Sequence, residues 1–170
     1  MLLPTSIDLL HCIEKTMETV IAPTLTGTGE RSAAASIGHL LRHVALRIEH
    51  EGGMLHEEIC MLRPLLERLA THLQHAPASD AAAAQLLATL RRTLSQPSQQ
   101  GYRNVTSLSA EVSELRARVC ESLEYLLPRK EQLDERGLQL HQDLHQYMAW
   151  EVRQEARVID PAFEGFGPRR

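Results

Sequence analysis

The chain has 170 residues, 43% of them apolar and 24% charged, with a net charge of -4 at neutral pH. These are ordinary globular proportions for a chain long enough to bury its own core, and they exclude disorder, collagen-like repeats and a bare coiled coil. The acidic balance offers no clustered Lys and Arg for phosphate backbones, so nucleic acid is not an expected partner.

Aromatic residues make up only 4%, while Leu and Ala are abundant, a bias toward helix and away from strand. No apolar run approaches the roughly 18 residues of a membrane span, and the opening MLLPTSIDLLH has no basic leader. Cys12, Cys60 and Cys120 are odd in number and widely spaced within apolar helical patterns. They read as small buried side chains in a reducing compartment, without disulfides, and the expected location is cytoplasmic.

In chain order, Ser6 is a candidate cap for a helix with Leu10, Ile13, Met17 and Val20 on one face, ended by Pro23. Residues 23–32, PTLTGTGERS, gather turn formers. An alanine-rich helix follows, with Ala33, Ile37, Leu40, Leu41, Val44 and Ile48 on one stripe taken as its core side, and Gly52 and Gly53 as its stop.

Leu55, Ile59, Leu62, Leu66, Leu69 and Leu73 then step alternately by four and three, a seam for packing against another helix. Pro64 interrupts it and predicts a kink or a break. Ser79 or Asp80 caps a helix bearing Ala83, Leu87, Leu90 and Leu94, residues 95–104 form a linker, and Leu108, Val112, Leu115, Val119, Leu123 and Leu126 mark the next helix. Pro128 opens a final helix carrying Leu133, Leu140, Leu144, Tyr147 or Met148, and Val158, with Pro161 as its stop.

No repeat of 20–50 residues is present, which sets aside a solenoid. The expected fold is all-α, an up-and-down antiparallel bundle of about five or six helices, with one domain over residues 1–160 and a loose tail at 161–170.

Residues 39–58, HLLRHVALRIEHEGGMLHEE, concentrate four of nine histidines. His39 and His43 lie one helical turn apart, and His141 and His145 repeat that spacing, so two facing pairs would hold Fe, Mn or Zn. Against this, no glutamate precedes a histidine by three residues, as carboxylate-bridged bundles require. Helical angles also turn His39, His43 and His50 away from the Ile37 stripe, toward a face shared with Leu46 that suits a second subunit. Glu14 and Glu151 fall near inner faces, where a carboxylate needs a cationic partner or a raised pKa. They are the candidate catalytic or bridging groups, with Arg47 and Arg153 as candidate partners.

The TGTGERS turn lacks the lysine of a phosphate-binding loop, and no G-x-S-x-G, H-E-x-x-H or C-x-x-C motif occurs. The run VIAPTLTGTGERSAAASIGHLLRHVALRIEHEG resembles an uncharacterised family of small helical bacterial proteins. The resemblance rests on the turn through Pro23, Leu25 and Gly27 and on the Ala33–Leu41 stripe. Members of that family are often encoded beside acyl-CoA dehydrogenases and phosphotransferase-like kinases, and the resemblance implies an accessory role. The residues thus lead first to a homodimeric interaction or accessory protein. A His/carboxylate metal-binding bundle comes second, and a binder of an apolar acyl-type ligand, in a gap near Pro64, third.

Overall fold

The computed structural model describes residues 4–96 and 103–163. Five α-helices and no strand occur among them: α1 (Ser6–Thr16), α2 (Thr28–Leu73), α3 (Ala81–Leu94), α4 (Val105–Leu126) and α5 (Glu135–Phe163). The protein is an all-α helical bundle. No helix among the described residues is long and apolar enough to cross a membrane.

The helix starts follow side-chain chemistry. Thr5, one residue before the expected Ser6, caps α1 in a reciprocal capping box with Asp8, and Asp80 and Asn104 cap α3 and α4 by accepting from the backbone amides of Ala83 and Ser107. Pro128 belongs to a short 3-10 turn, Leu127–Gln132, rather than to α5. At the start of α5, the Asp134 side chain instead accepts from the amide of Gly137 at 2.7 Å.

The helix ends expected at Gly52 and Gly53 and at Pro161, and a break at Pro64, do not occur. Residues 33–48 and 55–73 lie on one continuous helix of 46 residues that passes through Gly52, Gly53 and Pro64. Neither glycine adopts the left-handed conformation that a glycine C-cap requires. Pro64 is exposed, while Leu62, Leu65 and Leu66 beside it are buried. Burying each leucine contributes roughly 2 kcal/mol, so the set outweighs the roughly 3 kcal/mol cost of an interior proline. Pro161 likewise does not end α5, which continues to Phe163. Of the tail at 161–170, residues 164–170 lie outside the described residues, as do residues 97–102 of the linker.

The chain divides into two compact units. One comprises Met1–Glu51 with Val152–Arg170, the other Gly52–Glu151. In the second unit the leucine seam of α2 meets Leu86 and Leu90 of α3, Leu108, Val112, Leu115 and Val119 of α4, and Leu140, Leu144 and Tyr147 of α5. Leu62, Leu66, Leu69, Leu90, Leu115 and Leu144 are wholly buried there.

The first unit is built differently. Among its described residues the buried apolar side chains are small: Ala34, Ala45, Val158 and Ala162. The stripe taken as the core side of this part of α2 is turned outward, with Ile37 44%, Leu40 58%, Val44 44% and Ile48 52% exposed. Ile13 and Val20, taken as inner positions of the first helix, are exposed as well.

The continuous helix makes a direct prediction. A methyl group at Gly53 meets nothing within 4 Å and the backbone there is not left-handed, so Gly53→Ala should stabilise the fold by about 0.5–1 kcal/mol. Circular dichroism should record a higher melting temperature; a drop would show that the helix is interrupted at this point.

Candidate functional site

A polar cluster lies inside the second unit, where α2 supplies Glu58, α4 supplies Arg116 and α5 supplies Tyr147 and Glu151. Glu58 is 4% exposed. Its Oε1 accepts from Arg116 Nε at 2.6 Å and from the Tyr147 hydroxyl at 2.6 Å, and its Oε2 accepts from Arg116 Nη2 at 2.9 Å. Arg116 Nη1 reaches Glu151 Oε1 at 3.0 Å. One guanidinium therefore joins two carboxylates, and it has the fork geometry for a two-point contact with Glu58.

The electrostatics lock these groups in their resting forms. The hydrogen bond from Arg116 to Glu58 raises the guanidinium pKa against the opposing effect of burial. Burial, and then the bond to Glu58, push the Tyr147 phenol far above its ordinary value, so it donates and does not act as a base. Glu58 has both oxygens engaged. The cluster clamps three helices, and Arg116, Tyr147 and both Glu58 oxygens are engaged in doing so.

Glu151 thus belongs to this clamp through Arg116. Glu14 pairs with Arg42 rather than Arg47, Oε1 to Nε at 2.6 Å, joining α1 to α2 in the first unit. Glu58 and Arg116 were not singled out from sequence, yet the signal is there. It is a marginal one: at 100° per residue Glu58 lies about 60° from the centre of the α2 seam and Arg116 about 60° from the centre of the apolar arc of α4, at the edge of each face.

A second ionic cluster ties α2 to α4. Arg63 Nη2 meets Glu111 Oε1 at 2.6 Å, and Arg103 meets the other oxygen. Burial pushes the Glu111 carboxyl up, but the hydrogen bonds from Arg63 and Arg103 outweigh it and hold the pKa below the ordinary value of 4.5.

The histidine pairs lie in separate units. His39 is half-buried, its Nδ1 3.1 Å from the carbonyl oxygen of Ala162, and it stacks on Phe163 at 5.5 Å. His43 is also half-buried and lies 6.0 Å from the same ring. The face expected to carry an outer surface of His39, His43 and Leu46 therefore packs within the first unit, and the aliphatic stripe is the open side. His141 is 7% exposed and His145 is exposed; their Nε2 atoms are 3.3 Å apart. No group of three or more His, Cys, Asp or Glu able to hold a metal occurs among the described residues.

Cys12, Cys60 and Cys120 are free and exposed, not buried. Each falls beside its helix's apolar arc rather than within it. An open groove of about 780 Å³ at one end of the second unit is edged by Arg68, Arg129, Arg136, Asp80, Asp134 and Asp143. Leu73, Ala76, Pro77, Leu133 and Leu140 line it between these charges, and Pro64, where a gap for an apolar ligand was expected, is not part of it.

Two outcomes follow. Glu58→Ala leaves Arg116 and Tyr147 without their shared acceptor and should cost about 3–5 kcal/mol in denaturant unfolding, while Tyr147→Phe should cost about 1.5–3 kcal/mol. A neutral result for Glu58→Ala would mean that the clamp does not form. For Glu111 the sign is fixed by the lowered pKa: its contribution is complete above about pH 4.5 and is lost as the pH falls further. Glu111→Gln should thus weaken the protein at pH 7 and differ progressively less from the parent in acid, as read from urea midpoints. Comparison of the chain with protein-family models, curated proteins and solved structures gives no match in any of the three.

Proposed function

We propose that this protein is a helical-bundle interaction protein that acts as a homodimer, using the outward aliphatic stripe of α2 as its contact surface. One observation carries the reading: in the first unit the large aliphatic side chains point out and the small ones point in. Ile37, Leu40, Val44 and Ile48 span an arc of about 80° around the helix. The opposite side makes the contacts within the unit, Arg42 to Glu14 and His39 and His43 to Phe163.

The stripe suits a second copy. Ile37, Leu41, Val44 and Ile48 step by four, three and four, the seam by which like helices pair. The flanking cation, Arg47, is already bonded to Glu51 at 3.1 Å, so it does not repel another copy of itself. The role is accessory, as the resemblance of the turn through Pro23, Leu25 and Gly27 implies.

Magnitudes set the expected strength. Covering the exposed half of each side chain contributes roughly 1 kcal/mol, about 8 kcal/mol for eight residues in a symmetric pair. Association costs about 4–15 kcal/mol, so this stripe alone supports a weak, reversible dimer. Leu9 and Ile13 of α1 and Val152 and Ile159 of α5 are also outward and add apolar surface to the unit.

Sedimentation velocity over a hundredfold range of concentration should show a monomer–dimer equilibrium. Val44→Glu should shift it to monomer while changing monomer stability by no more than about 0.5 kcal/mol, because the side chain is already half exposed. A monodisperse monomer throughout the range would reject the reading.

A further inference from the structure

We propose that His141 and His145 form a two-imidazole chelate for a zinc-like divalent cation, with water completing the coordination shell. The proposal is independent of the dimer and uses a different element, the part of α5 in the second unit.

Its basis is geometric. Residues four apart on a helix are stacked one turn above the other, but most such pairs splay toward solvent. Here the two Nε2 atoms converge to 3.3 Å and the ring centroids lie 4.5 Å apart at an interplanar angle of 64°. Placing an ion at Zn–N distances of about 2.05 Å from both nitrogens gives an N–Zn–N angle of about 107°, nearly tetrahedral. An octahedral or square-planar ion wants about 90° at these ligands and a separation near 2.9 Å. The observed separation, at which the two rings hydrogen-bond each other, matches the bite of a tetrahedral ion that takes that proton's place.

The environment supplies two further conditions. His141 is 7% exposed, which fixes one ring and limits the freedom lost on binding. The field of Lys130 reaches His141. His145 is exposed, so an ion and its waters have access from solvent. Lys130 works in the other direction, because its ammonium repels a bound cation. With two protein ligands and a nearby positive charge the site is a weak one, in the range of a labile rather than a structural metal.

Zinc titration of the full chain, purified without a histidine tag and read by competition with a chromophoric chelator, tests this. One equivalent should bind, and His145→Ala, a change at an exposed position, should weaken binding at least about tenfold by leaving a single imidazole. Lys130→Gln should strengthen binding about two- to threefold, which a purely structural histidine pair would not do. Cobalt substituted for zinc should show the intense visible absorption of a tetrahedral ion. Val44→Glu should bind zinc as the parent does, so failure of the dimer leaves this result intact. No binding at millimolar zinc, equal binding by His145→Ala, or loss of binding on His43→Ala would overturn the assignment.

Discussion

The second unit depends on three leucines of α2, Leu62, Leu66 and Leu69, that have no contact with solvent. Their burial against α3, α4 and α5 is the dominant favourable term there, since apolar area removed from water is the largest contribution a helical bundle can gather. It also decides local matters that propensity alone would settle otherwise. An interior proline is tolerated because the leucines around it are in the core, and the helix continues because breaking it would separate the seam from its partners.

The same burial makes the Glu58 clamp possible and expensive. A carboxylate 4% exposed is too costly to keep charged without donors, and here Arg116 and Tyr147 provide three hydrogen bonds to its two oxygens. Such a cluster contributes little net stability compared with apolar side chains of the same volume. What it adds is selectivity: only one register of α2, α4 and α5 brings acid, base and phenol together, whereas a leucine seam alone tolerates slippage by a turn.

The first unit obeys the opposite arrangement, and the contrast is chemical. Small residues on the inward side of α2, among them Ala34 and Ala45, bring its neighbours close but bury little area. The aliphatic side chains that would normally drive such packing face outward. An ion pair, Glu14 with Arg42, and a phenylalanine between two histidines do the joining within the unit. It is on this outward aliphatic face that the proposed dimer rests.

Much of this was legible in the residues. Helical class, the seam from Leu55 to Leu73 and the cap at Asp80 follow from periodicity and side-chain chemistry, which act over one or two turns. The clamp was half legible: Glu151 stood out, whereas Glu58 and Arg116 lie at the margins of their apolar arcs and are brought together only by the packing of α2, α4 and α5. Which way the Ile37 stripe points was not legible, because a hydrophobic arc shows that a helix has a face to cover but not what covers it. The pairing of Glu14 with Arg42, the half-burial of His39 and His43, and the convergence of His141 with His145 were decided only by tertiary structure, since each depends on the position of a neighbouring helix or on the rotamers that packing allows.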